Sequence, residues 1–252
     1  MGVEGSSFSA ALPIDSNIKD QYGWTPLSLA ASRGDTQTVS ELLKHRVDPN
    51  IPGRYGCTPL FMAASRGDTQ MVTELLSHGA DLDIQDRDGE TPLSMAVDAW
   101  GSRMWQMAIE LLNHGADPNI PNKNGWTPLY TAAWGCRTEV VTELLNHGAD
   151  PNIPNKNGWT PLFIAAYKFI NMQMVSELLR HKADPNVPDS EGMTPLFIAA
   201  YRGDTQMATE LLKYKADPNI PDSEGMTPLS LAKQKNNTAM VVLIEAAIQN
   251  LK

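Results

Sequence analysis

Residues 146–162 read NHGADPNIPNKNGWTPL, and residues 113–129 repeat that string without a change. Its parts recur along the chain. Thr-Pro-Leu starts at Thr25, Thr58, Thr91, Thr127, Thr160, Thr194 and Thr227, in steps of 33, 33, 36, 33, 34 and 33 residues. A glycine stands two residues before each threonine, from Gly23 to Gly225. Leu-Leu pairs begin at Leu42, Leu75, Leu111, Leu144, Leu178 and Leu211. Asp-Pro-Asn begins at Asp48, Asp117, Asp150, Asp184 and Asp217, with Asp81-Leu82-Asp83 as the variant. A fixed period in this range marks a solenoid of stacked supersecondary units.

Each column has a physical task. The threonine hydroxyl suits the cap of a short helix, and the proline after it suits the first turn, where its missing N–H costs nothing. Leucine and Ala-Ala follow, giving that helix a small-residue face. A second helix then carries apolar residues at helical spacing, as Val39, Leu42 and Leu43 do in the first unit. His-Gly-Ala-Asp ends it, glycine being favoured just past a helix terminus. Asp-Pro-Asn-Ile-Pro and the next glycine make the turn back to threonine.

These columns resemble the ankyrin repeat, whose signature is Thr-Pro-Leu-His, Ala-Ala, Leu-Leu and Gly-Ala-Asp at set distances; the resemblance covers about residues 20–252. It implies an all-α solenoid of stacked antiparallel helix pairs with short β-hairpin loops and a concave groove. A lead-in segment and strand over 1–19 is expected to precede seven repeats, at 20–52, 53–85, 86–121, 122–154, 155–188, 189–221 and 222–252. One departure is consistent. Where the family has histidine after Thr-Pro-Leu, this chain has Ser28, Phe61, Ser94, Tyr130, Phe163, Phe197 and Ser230. The bonds between repeats that this histidine commonly makes must be replaced. The repeats at Ala96–Ala116 and Ala165–Ala183 carry three extra residues and one, placed at the turn between helices. The last helix, from Thr238, is expected to seal the stack.

The 252 residues are 42% hydrophobic, enough for a sizeable core, and the net charge is −9. That charge argues against nucleic acid and anionic membrane as general partners. No apolar run approaches the roughly 20 residues that span a bilayer, and Met1–Leu12 does not read as a signal peptide. Two cysteines, Cys57 and Cys136, are too few for a secreted disulfide scaffold and are expected to be free thiols. An intracellular monomer, in cytoplasm or nucleus, is expected. Met1-Gly2-Val3-Glu4-Gly5-Ser6 fits a permissive acylation pattern, though one acyl chain would anchor only weakly.

The histidines His45, His78, His114, His147 and His181 occupy one slot per repeat. Packed helices lie about 8–10 Å apart, while ligands must converge at roughly 2 Å on one ion, so this column is not read as a metal site. No cofactor, metal or catalytic motif is visible. The recurrent aspartates sit in turns, where their side chains bond nearby backbone N–H groups.

Specificity is sought among residues that change between repeats. By the resemblance, the residues flanking the loop glycine and the outer side of the short helix line the groove. Loop tips run from basic (Arg54, Arg87, Lys123, Lys156) to acidic (Glu191, Glu224), a gradient able to orient a charged partner. Tyr130 and Trp134, Phe163 and Tyr167, and Phe197 and Tyr201 are each four apart, a spacing that shares a helix face. With Trp126 and Trp159 they predict an aromatic stripe in repeats four to six. Core filling in place of the missing histidine is the competing reading for Tyr130, Phe163 and Phe197. The leading function is a module that binds a protein or peptide in the groove. The alternatives are a small-molecule or methyl-ammonium site boxed by the rings, and an enzyme using Glu90, Asp98 and Arg103 beside Trp100 and Trp105.

Overall fold

The computed structural model describes residues 17–99, 101–168 and 171–250. The acylation pattern, Trp100 and Leu251 lie outside them. Fourteen α-helices form seven pairs among the described residues. They are α1 (Pro26–Arg33) with α2 (Thr36–Lys44), α3 (Pro59–Arg66) with α4 (Thr69–Ser77), α5 (Pro92–Asp98) with α6 (Ser102–Asn113), and α7 (Pro128–Trp134) with α8 (Thr138–Asn146). Then come α9 (Pro161–Tyr167) with α10 (Met172–Arg180), α11 (Pro195–Arg202) with α12 (Thr205–Lys213), and α13 (Pro228–Gln234) with α14 (Thr238–Asn250). The odd-numbered helices stack on one another as an inner row, and the even-numbered helices form an outer row. Every repeat therefore meets only its neighbours, and the core runs lengthwise between the rows.

All seven repeat threonines cap their helices, each hydroxyl accepting from the backbone N–H three residues on. The position of the missing histidine has two solutions. Ser28, Ser94 and Ser230 close a capping box with the threonine before them. Phe61, Tyr130, Phe163 and Phe197 are buried.

A second inter-repeat device is polar. Asn50, Asn119, Asn152 and Asn186 each accept from the N–H of an aspartate one repeat on, Asp81, Asp150, Asp184 and Asp217, at 2.6–2.7 Å. Their amides donate back to a carbonyl just past the same repeat's second helix. Asp83 fills this slot in the second repeat and accepts from Asp117 N–H at 3.0 Å, but an ionised carboxylate has nothing to donate.

The expected hairpins are tight turns with no strand among the described residues, and the described part of the lead-in strand, from 17 to 19, is likewise not a strand. One side-chain oxygen organises each turn. Asp20, Asp86, Asn122, Asn155, Asp189 and Asp222 accept from the N–H groups two and four residues later. Successive turns are joined by single backbone bonds, such as Lys156 N–H to Asn124 C=O at 3.2 Å. The second repeat has Gly53 in this slot and makes a 3-10 turn, Arg54–Gly56, with Tyr55 left-handed at φ 61°. The three-residue insertion, expected in the inter-helix turn, lengthens α6 to 12 residues where α4 and α8 have 9. The packing of α6 is against α3, α5 and α8 more than against α4.

Candidate functional site

Repeats four and five each hold three aromatic rings in contact. Trp126, Tyr130 and Trp134 have centroids 5.2–6.5 Å apart, and Trp159, Phe163 and Tyr167 repeat the arrangement at 5.4–6.1 Å. The tryptophan comes from the loop and the other two rings from the inner helix. In α7, α9 and α11 the third residue is buried and the seventh is half-buried or exposed. The stripe is therefore narrower than the spacing suggests. Tyr130, Phe163 and Phe197 are 1%, 0% and 5% exposed, so they support the site and do not form its surface. Burial pushes the Tyr130 phenol up to about 12 against the opposing pull of Asn155, and its hydroxyl makes no well-formed hydrogen bond. Tyr167 and Tyr201 are 45% and 58% exposed. Trp126, Trp134 and Trp159 are half-buried, and the Trp159 indole donates to Asp189 Oδ2 at 3.3 Å.

The sequence reading missed what stands beside the rings. The Lys168 ammonium lies 3.6 Å over the Trp134 ring and donates to Trp134 C=O. The Arg202 guanidinium donates to Tyr167 C=O at 2.6 Å, and Lys235 lies 3.8 Å over the Tyr201 ring. Arg66 donates to Ser32 C=O. Arg137 ties off α5 through the carbonyls of Val97, Asp98 and Ala99, and burial holds its pKa below the usual arginine value. Each cation reaches back to the C-terminal end of the preceding inner helix, the negative end of its dipole. The signal was legible as a basic residue after the aromatic slot at Lys168, Arg202 and Lys235. Arg137 is out of register and gave no such signal.

Among the described residues of the enzymatic alternative, no hydrogen bond or ion pair joins Glu90, Asp98 and Arg103 to one another. Glu90 Oε1 accepts from Asn122 Nδ2 at 2.6 Å. Asp98 is exposed, and its backbone carbonyl is taken by Arg137. The Arg103 side chain lies where a side chain on Gly67 would be. Trp105 is half-buried at the rim of a mostly apolar cavity of about 180 Å³ bounded by Ala96, Val97, Ala108, Arg137 and Val140.

His78, His114 and His147 each put Nδ1 2.9 Å from the glutamate carbonyl four residues back. No cluster of three or more metal-ligating side chains occurs among the described residues. Both cysteines are free, and burial with Asp86 and Asp88 nearby pushes the Cys57 thiol up to about 11. No helix among the described residues is long and apolar enough to cross a membrane.

Comparison with known proteins agrees with this architecture. The family model for ankyrin repeats (3 copies) matches residues 6–86, 29–122, 93–189 and 166–251. Among solved structures, the chain is similar to the ankyrin repeat domain of Bcl-3, a member of the IkappaB protein family. That match has 26% identity and a TM-score of 0.74, over 89% of this chain and 100% of that one. It is also similar to EF0377, an ankyrin repeat protein, at 30% identity and a TM-score of 0.64, over 74% of this chain and 96% of that one. No curated protein matches in sequence.

Proposed function

We propose, from the premise that this chain belongs to the ankyrin-repeat family, that it is an interaction module holding a protein segment against the inner face of repeats four to six. Ankyrin repeats in general are protein-interaction modules. The observation that carries the proposal is the recurrence of Trp134, Tyr167 and Tyr201 in one slot of consecutive repeats, with Trp134 stacked on buried Tyr130 and Tyr167 on buried Phe163. Phe197 is the buried member in repeat six. Such rings are large and pre-positioned, so a partner covering them buries apolar area at small entropic cost. The ammonium groups of Lys168 and Lys235 already occupy faces of Trp134 and Tyr201 where a methylated ammonium would sit. This favours the peptide over the boxed-cation alternative.

Panning a random twelve-residue peptide library on the chain tests this, with Trp134→Ala/Tyr167→Ala/Tyr201→Ala in parallel. Peptides retained by the parent should bind the variant on the order of a hundredfold less tightly, since a true anchor is worth about 2 kcal/mol or more. Its melting should change little, as Tyr167 and Tyr201 are exposed. Equal binding to both proteins would remove the stripe as the site. A metabolite that raises the parent's melting temperature and not the variant's would favour the small-molecule alternative.

A further inference from the structure

We infer that the occupant of this face is an acidic peptide segment, lying over repeats four and five with its apolar side chains on the rings and its carboxylates along two basic rims. The inference rests on the groove reading above and adds the chemistry of the partner. One rim is the pair of loop tips Lys123 and Lys156, both exposed and in no ion pair among the described residues. The other rim is Arg137, Lys168 and Arg202, whose charges lie at the C-terminal ends of α5, α7 and α9. Between the rims lie Trp126, Trp134, Trp159 and Tyr167.

The chain's net charge is −9, so a face bordered on both sides by cations is a local departure and not the general character of the surface. Basic tips also stand in repeats two and three, at Arg54 and Arg87, but only in repeats four and five do they accompany complete aromatic triads. In repeats six and seven the tips turn acidic, at Glu191 and Glu224, and would repel a carboxylate-rich segment. The acidic stretch is thereby placed over repeats four and five. Cations beside desolvated rings select partners of opposite charge and speed their encounter.

The peptide library separates this inference from the one beneath it. Peptides that need Trp134 and Tyr167 should be enriched about twofold or more in Asp and Glu over the starting library. Their affinity should fall on the order of tenfold in Lys123→Glu/Lys156→Glu, and added salt should weaken binding to the parent and narrow that difference. Among the described residues those two side chains make no hydrogen bond or ion pair, so that variant should melt with the parent. Stripe-dependent peptides with no acidic excess would overturn this inference and leave the groove reading standing. Retained peptides indifferent to the stripe would overturn both. An oligothymidylate that binds the parent and displaces the acidic peptides would show that the rims serve a nucleic-acid backbone, and the peptide assignment would fall.

Discussion

At the scale of single residues, a slot in the repeat fixes a position but not always a chemistry. The asparagine ladder needs an acceptor and a donor in one side chain, and Asp83 offers only the acceptor. Burial is the main cause that raises its pKa, and the charges of Asp117 and Asp81 add to it. The folded state thus holds that proton more tightly than the unfolded chain, so the ionised carboxylate opposes folding. That penalty is present above the folded pKa and is relieved as pH falls through it towards the ordinary value. Asp83→Asn should stabilise the protein at neutral pH by about 0.5–1.5 kcal/mol, the usual worth of a restored hydrogen bond. The advantage should shrink as the medium is acidified through the raised Asp83 pKa. Urea titrations of both proteins across that range measure it, and a gain independent of pH would contradict the electrostatic part. The stripe was half-legible for a similar reason. The four-residue spacing told which rings share a helix face, but not that Tyr130, Phe163 and Phe197 are buried, because a neighbouring repeat's position is not local information.

At the scale of the element, two sets of glycines separate conformational need from spatial need. Gly148 ends α8 at φ 86° with nothing within 4 Å of where a Cβ would stand. Gly158 sits in the loop at φ 78°, and a Cβ there would lie 2.9 Å from the backbone of Asp189 and Ser190 in the next repeat. Gly148→Ala should therefore cost about 1 kcal/mol, the left-handed backbone alone. Gly158→Ala should cost about 2–4 kcal/mol, because the clash with a neighbouring backbone is added. Chemical denaturation of the two variants decides it, and equal losses would mean that repeats are not stacked as closely as the loops show. The converse also holds. Lys215 occupies the Gly148 slot at φ 67°, so Lys215→Gly should cost nothing or stabilise slightly. Both glycine columns stood out in the sequence by their period. Their different tasks did not, since one is decided by a backbone a repeat away.

At the scale of the whole molecule, the period gave the number and order of helices because each repeat bonds its own helices and meets only its neighbours, through apolar cover, the asparagine ladder and single bonds between turns. The insertion was visible as three extra residues, but not its effect, since whether an insertion lengthens a loop or a helix depends on what the added turn packs against. Here it lengthens α6, and the outer row is thinnest between α4 and α6 while the inner row continues through α3 and α5. The cavity beside Trp105 adjoins the same repeat. Free energy lost on one side should then pass poorly to the other. Leu75 in α4 and Leu178 in α10 are both fully buried, and cutting either to alanine should cost about 2–5 kcal/mol locally. In Leu75→Ala, amide hydrogen exchange should accelerate across α1 to α4 and leave α8 to α12 close to the parent. In Leu178→Ala the protection of α7 to α12 should fall while α1 to α4 hold. Exchange read helix by helix under native conditions makes the comparison. If Leu75→Ala speeds exchange in α10 as much as in α2, the stack unfolds as one unit and the thinning at α6 has no thermodynamic consequence. If the two halves respond separately, the ring-bearing repeats keep their geometry while the first two open, and peptide binding should survive Leu75→Ala and be weakened by Leu178→Ala.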